Sequence, residues 1–443
     1  MSARRSGRAR AAATAPINLD IVNLSHEGRG VARHEGKTVF VHGALPGEQV
    51  RAQVTDQHGR FDEADALTVA QPHAERVVPR CPHYGVCGGC SLQHASETAQ
   101  LAHKQAVLLE LLLHQGGTVP RVIAAPMRGP QWGYRRKARL GVKWVLKKGR
   151  MVIGFRERAK PYVADCETCA VLDPRVGTQL PALRALIAAL SIADRVPQIE
   201  VAVGDHAVAL VLRHLAALSP ADRAVLAAFE TASGMGIFLQ SGGPDSVIDL
   251  HGQTPLLDYS IDGLTISFQP TDFTQVNAEI NQQMVAQALT HLALSPTDQV
   301  ADLFCGIGNF TLPIATRAAG VTGVEGDASL VARARANAMR NGIGNAHFAV
   351  ANLDDAAAVA TLALGDATKI LLDPPRAGAL VVIEHANLSA CQRLVYVSCN
   401  PVTFARDAAL LVARHGFILD HAGILDMFPQ TAHVEAIALF TRA

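Results

Sequence analysis

Between Gln299 and Ser398 five short apolar runs recur with Ala-rich helical stretches between them: Gln299–Phe304, Gly320–Glu325, Ala346–Val350, Lys369–Asp373 and Arg393–Ser398. No other feature restricts the fold so tightly. Strands alternating with helices pair in parallel through crossover connections, which predicts a doubly wound α/β sheet covered on both faces. Phe417–Leu425 and His433–Thr441 add two more strands joined by an apparent hairpin, seven in all. In such sheets ligands bind beyond the carboxyl ends of the strands, so the residues that follow each run are where chemistry is sought.

The rest of the chain is organised differently. At 443 residues it is long enough for two to four domains. With 49% apolar and 18% charged residues it reads as globular. No apolar run reaches membrane-spanning length, and no apolar segment follows Arg4, Arg5, Arg8 and Arg10, so residues 1–14 are expected to form a disordered basic tail and the protein to be cytoplasmic. Short β-rich runs at Ile17–Leu24, Gly30–Arg33, Thr38–His42, Gln49–Thr55 and Ala64–Val69, separated by glycine turns, suggest a small OB-like barrel. A helix is expected over Ala95–His114. Residues 130–265 read as mixed β with few long helices.

Three of the eight cysteines cluster as Cys81-Pro82-His83-Tyr84-Gly85-Val86-Cys87-Gly88-Gly89-Cys90. In a cytosolic protein such spacing suits an iron–sulfur cube or a zinc ion better than disulfides. A fourth ligand is required, and Cys166 and Cys169 both offer one.

Asp302-Leu303-Phe304-Cys305-Gly306-Ile307-Gly308-Asn309-Phe310-Thr311 ends one strand and opens a helix. Its glycines let backbone pass close to a ligand. The third glycine of a dinucleotide site is missing, with Thr311 in its place, which favours a nucleoside without phosphates. Glu325, nineteen residues after Gly306, ends the next strand and can accept both ribose hydroxyls. S-adenosyl-L-methionine fits this pattern better than NAD. Leu394–Ser398 runs into Cys399, and Asn400 and Pro401 then supply an N-cap and a first-turn proline. Cys399 is therefore expected at a strand end beside a helix N-terminus, where the dipole favours a thiolate. Glu435 interrupts the apolar run Val434–Phe440, where a carboxylate is out of place unless it is used.

These segments carry a family resemblance. Ser398-Cys399-Asn400-Pro401, Leu372-Asp373-Pro374-Pro375-Arg376, His433-Val434-Glu435 and Phe273-Thr274-Gln275-Val276-Asn277 resemble motifs of the RNA uracil-5-methyltransferases, whose catalytic domain is a class I, Rossmann-like, seven-stranded fold. The resemblance implies Cys399 as nucleophile, Glu435 as general base, and Gln275, Phe304, Asn309, Glu325, Asn352 and Asp373 as contacts to the methyl donor. Arg376 stands where enzymes that methylate exocyclic amines have an aromatic residue, which favours a carbon target. Uracil C5 becomes nucleophilic only after a thiolate adds at C6, and a base must then remove the C5 proton.

Ser25–Ala32 and Gly43–Glu48 resemble the TRAM domain, an RNA-binding barrel. In the rRNA branch of the family four cysteines bind a 4Fe–4S cluster, which implies Cys81, Cys87, Cys90 and Cys169 here. A barrel together with a cluster resembles the branch that makes 5-methyluridine at position 1939 of 23S rRNA. The expected layout is a tail (1–14), a TRAM OB-like barrel (15–74), a mixed α+β central domain bearing the cluster (75–268) and the methyltransferase domain (269–443). Eleven Lys/Arg against Glu157 alone in residues 131–160 predict a local phosphate-binding face on Arg135, Lys137, Arg139 and Lys143, although net charge is only +1. Reaching C6 requires an unstacked base, so a single-stranded or loop uridine is expected. The same chemistry at another rRNA or tRNA uridine, a non-catalytic RNA-binding or assembly factor and an iron–sulfur redox protein remain the alternatives.

Overall fold

Alternating burial along Gly30–His34 and Lys37–His42 puts Ala32, Val39 and Val41 on one face, and a sheet that closes over that face buries it. The computed structural model describes residues 15–253, 256–364 and 366–442; the tail expected over 1–14 lies outside them. The described chain divides into two units. One comprises residues up to His103 with Gln430–Ala432, and the other Lys104–Pro429 with the remaining C-terminal residues.

In the first unit a six-stranded sheet runs in the order Ile17–Asp20, Gln49–Gln57, Phe61–Gln71, Lys37–His42, Gly30–His34, Asn23–Leu24. The run expected over Ile17–Leu24 is split into two strands, because Ile21 and Val22 turn the chain onto Glu48 and Val31. Leu19, Val39, Val50 and Ala64 share its core. Glu48 is fully buried and accepts from Leu45 N, His73 N and the Arg76 guanidinium, so residues 73–76 are fastened to the barrel.

The second unit holds a six-stranded mixed sheet, whose strands include Lys137–Val145 and Arg150–Gly154, and a hairpin of Leu257–Ile261 with Leu264–Phe268. Its largest sheet has eight strands. Seven of them, numbered β1 to β7, are Gln299–Leu303, Gly320–Glu325, Ala346–Val350, Lys369–Leu372, Arg393–Ser398, Ile418–Leu425 and Glu435–Thr441. They run in the order β3-β2-β1-β4-β5-β7-β6, and β7 alone is antiparallel to both its neighbours. Where seven strands were expected, the two-residue strand Val122–Ile123 adds an eighth, parallel to β6 at the edge. Three helices matter for the site: α1 (Glu97–His114), α2 (Ala278–Leu292) and α3 (Pro401–Ala413). The division between units falls inside α1. Ile280, Met284, Val285 and Ala288 of α2 share one core with Leu371, Val395 and Ile437 of the sheet. Among the described residues no helix is long and apolar enough to cross a membrane.

Candidate active site

Parallel strands in register bring their carboxyl ends to one edge. Leu303 pairs with Val324 and Leu372, Leu372 with Tyr396, and Ser398 with Ala436. Glu325, Phe304 and Asp373 therefore stand level along that edge, neighbours about 5 Å apart at strand spacing, with Cys399 and Glu435 opposite one another two residues further along their strands. Phe304 and Asp373, 69 residues apart in sequence, become neighbours without any loop having to reach.

Cys399 is half-buried, one residue beyond β5. Asn400 caps α3, its side chain accepting from Val402 N at 3.2 Å, with Pro401 in the first turn. Its amide nitrogen Nδ2 donates to Arg376 O at 2.9 Å, which ties the cysteine's loop to Asp373-Pro374-Pro375-Arg376. The expected thiolate does not prevail. Burial pushes the thiol up to about 11, the charges of Glu435 and Asp373 add to this, and Arg376 opposes it. Burial and two carboxylates thus outweigh the helix terminus.

Glu435 opens β7 opposite Leu425 and is buried. Burial first, and then the Asp373 charge, push it up to about 8, while Lys104 and Arg376 pull it down. Asp373 is pushed up to about 7 by burial and by Asp302. Its backbone amide donates to Leu303 O at 3.3 Å, holding it against the glycine loop.

On the other side of β1, Phe304 takes φ 67°, a backbone conformation unusual for an aromatic residue and typical of functional loops. Gly308 takes φ 95°, which a side chain would strain. Glu325 accepts from Gly306 N and Asp327 N, both at 3.1 Å, so its carboxylate is fixed at the strand end. Thr311, in the place of the missing third glycine, donates its hydroxyl to Asp302 Oδ2 at 2.5 Å. Burial and the Glu325 charge push Asp302 up to about 7 against that bond, and its Oδ1 is buried with no hydrogen-bond partner. An orphaned carboxylate oxygen amid three acidic groups and no phosphate cradle fits a cationic nucleoside.

The remaining sequence-assigned residues divide. Gln275 is half-buried, two residues before Asn277, the N-cap of α2. Asn309 is engaged within the protein, donating to Asn281 Oδ1 and accepting from Asn281 Nδ2 and the Tyr259 hydroxyl at 2.9–3.0 Å. Asn352 is exposed, its Oδ1 accepting from Asp354 N at 3.0 Å. Cys81, Cys87 and Cys90 are half-buried in the first unit. There Tyr84 N donates to Cys81 O and Gly89 N to Cys87 Sγ, and Cys87 helps to raise the Cys81 thiol, after burial. Cys166 lies buried against Gly154, where an added Cβ would meet its sulfur at 2.9 Å, whereas Cys169 is half-buried. Among the described residues no group of three or more His, Cys, Asp or Glu side chains is arranged to hold a metal.

The basic face divides, Arg135 and Lys137 being turned to use within the protein while Arg139 and Lys143 are exposed. Lys137 donates to Pro270 O and Asp272 O, Arg139 pairs with Glu200 at 2.8 Å, and Arg135 donates to Lys137 O. Lys143 is exposed.

Sequence reasoning missed the partners of these groups. Lys104 is fully buried and pairs with buried Asp426. Its signal was present: it stands on the apolar stripe Leu101, Leu108 and Leu112 of α1, at spacings of three and four. Tyr259 and Asn281 carry no local signal.

The family described as tRNA (Uracil-5-)-methyltransferase matches residues 97–443, and the TRAM domain matches residues 17–67. The chain is 52% identical over 430 residues to the 23S rRNA (uracil(1939)-C(5))-methyltransferase RlmD of Alkalilimnicola ehrlichii, covering 96% of this chain and 97% of that protein. It is 52% identical over 428 residues to the same-named protein of Aromatoleum aromaticum, covering 95% and 99%. The crystal structure of Pyrococcus abyssi tRNA (uracil-54, C5)-methyltransferase in complex with S-adenosyl-L-homocysteine superposes with a TM-score of 0.73 at 22% identity, over 96% of this chain and all of that one. That likeness extends to the fold.

Proposed function

The chain belongs to the tRNA (uracil-5-)-methyltransferase family, and on that basis we propose that it methylates C5 of a uridine in 23S rRNA, position 1939 by its relatives' names. The family and the relatives make it an RNA uracil-C5 methyltransferase with an RNA-binding TRAM domain. The observation that carries the assignment of roles is the row of Glu325, Phe304, Asp373, Cys399 and Glu435 across adjacent strand ends.

Cys399 gives up its thiol proton to solvent and its Sγ adds to uracil C6, moving the C5–C6 π pair so that C5 becomes an enolate-like carbon. S-adenosyl-L-methionine would supply an electrophilic methyl group, which C5 takes up as the methyl–sulfur bond breaks and S-adenosyl-L-homocysteine leaves. Glu435 then removes the C5 proton; its electron pair re-forms the C5–C6 double bond and the C6–Sγ bond breaks. Glu325 would hold the donor's ribose, Phe304 offer a ring face, and Gln275 and Asp373 meet polar edges. Asn309 shapes the loop through Asn281 and Tyr259, and Asn352 serves the donor's rim. An rRNA substrate puts this work in the cytoplasm, on a single-stranded or loop segment.

The proposed layout is a barrel over 15–74, a cluster-bearing segment within 75–268 and a catalytic domain over 269–443. The iron–sulfur reading rests on Cys81, Cys87 and Cys90, which lie within ten residues of one another; the fourth ligand by family resemblance is Cys169, favoured over buried Cys166. No step of methyl transfer uses the cluster. Anaerobically purified protein is expected to contain about four iron and four sulfide per chain, lost in Cys87→Ala, whereas stoichiometric zinc would replace this reading. The function itself is tested by mapping 5-methyluridine on 23S rRNA from a deletion strain. Loss at one uridine, restored by the wild-type gene and not by Cys399→Ala, is expected; an unchanged map would refute it.

A further inference from the structure

We propose that Lys104, clamped against Asp426, is a positioning residue that keeps Glu435 competent to remove the C5 proton. This rests on the reading of Glu435 as the base.

Three features of the geometry point to it. First, the pair is wholly interior: the side chains of Lys104 and Asp426 are 0% and 1% exposed, with Nζ 2.6 Å from Asp426 Oδ1 and 3.0 Å from Phe428 O. A buried ion pair of this kind gives folding little that two apolar side chains would not, so its retention asks for another reason. Second, both partners are rigidly held. Asp426 Oδ2 accepts from Gln131 Nε2 at 3.2 Å and Asp426 N donates to Met127 O at 3.0 Å, while Lys104 rides on the 18-residue helix α1. Third, the pair stands beside the base. Leu425 is the cross-strand partner of Glu435, and Asp426 is the next residue.

The charged groups around Glu435 come from every element packed on it: Asp373 after β4, Arg376 in the following loop, Cys399 after β5, Asp426 after β6, His433 just before β7, and Lys104 from α1. Of the two cations that lower Glu435, Arg376 is exposed and Lys104 is not. Burial itself pushes Lys104 down while Asp426 and Glu435 hold it up, so the ammonium depends on these carboxylates. In the step concerned the C5–H bond breaks, the proton goes to a Glu435 oxygen, and the thiolate of Cys399 leaves. The carboxylate must be charged beforehand, and a fixed ammonium in a dry site favours that state.

The test is a trapping assay on full-length protein with ordinary uridine RNA and S-adenosyl-L-methionine. When proton removal lags, the methylated RNA remains bonded to Cys399 and migrates with the protein on a denaturing gel. Lys104→Met is expected to accumulate this adduct, to slow turnover about tenfold, and to move the pH midpoint of adduct release up by about one unit. The double variant Lys104→Met/Asp426→Leu leaves no unpaired buried charge and keeps the fold; it is expected to trap in the same way. Glu435→Gln is the control. If it traps while both Lys104 variants turn over at the wild-type rate with an unshifted pH midpoint, the role of Lys104 is overturned and that of Glu435 stands. If Glu435→Gln forms no adduct, the base assignment itself falls.

Discussion

Cys399 and Glu435 are both protonated more tightly than free side chains, and this fixes their pH behaviour. Burial leads in both cases, with acidic neighbours adding to it. With Glu435 as the proposed base, release of the methylated RNA from Cys399 should speed up with pH through about 8, and single-turnover release rates between pH 6 and 9.5 would show it. Stability should move the other way. With a folded value of about 8 against 4.5 unfolded, the native state holds this proton longer, so the contribution of Glu435 is fully present below about 4.5 and is lost as pH rises towards 8. Glu435→Gln removes that slope; its Tm should exceed the wild type's at pH 9 and match it at pH 5. Equal Tm differences at both pH values would contradict the burial of an ionisable group at this position.

At the scale of elements, most of the catalytic sheet was legible. Each of β1 to β5 begins at the residue where its apolar run begins, because runs buried on both faces stop where the polar, ligand-facing ends start. The first strand of the barrel was less legible, since Ile21 and Val22 look as β-prone as their neighbours and only the turn to Glu48 and Val31 divides them. Val122–Ile123 was illegible, being a strand only because β6 offers it an edge. In the site, Cys399 and Glu325 were legible by position on their elements, whereas the Asn309–Asn281–Tyr259 network and the use of Lys137 by Pro270 and Asp272 arise from tertiary contacts. Two element-level consequences follow. Tyr396 in β5 donates to Asp407 of α3 at 2.7 Å, and the same carboxylate accepts from Ala379 N; Tyr396→Phe should cost about 1–2 kcal/mol in urea unfolding by leaving that buried oxygen short of a partner. In β2, a Cβ on Gly323 would meet Cys305 Sγ and Phe348 at 2.9 Å, so Gly323→Ala should raise the dissociation constant for S-adenosyl-L-homocysteine through the displaced glycine loop.

For the whole molecule, a net charge of +1 means that RNA is met by local patches and not by a uniformly basic surface. Lys143 and Lys147 are exposed, while the ammonium of Lys137 is spent on two carbonyl oxygens and burial pushes it down to about 8. Replacing Lys143 and Lys147 by Gln should therefore reduce the slope of log Kd against log salt by about 1–2, whereas Lys137→Gln should lower Tm and leave the slope alone. A slope that responds to Lys137 instead would place the phosphate contacts on the face first expected from the sequence. The chain also passes back through the first unit at Gln430–Ala432 before reaching Glu435, so the residue read as the base is supplied directly after a segment that Ser91 and Gln100 hold by hydrogen bonds.

Mass spectrometry of the protein after incubation with 5-fluorouridine-containing RNA and S-adenosyl-L-methionine tests the covalent role of Cys399 most directly. Fluorine at C5 cannot be removed as a proton, so the account predicts a stable methylated RNA adduct on the peptide carrying Cys399, absent in Cys399→Ala. Wild-type protein that methylates uridine RNA yet forms no adduct, or a Cys399→Ala variant that still methylates, would contradict it.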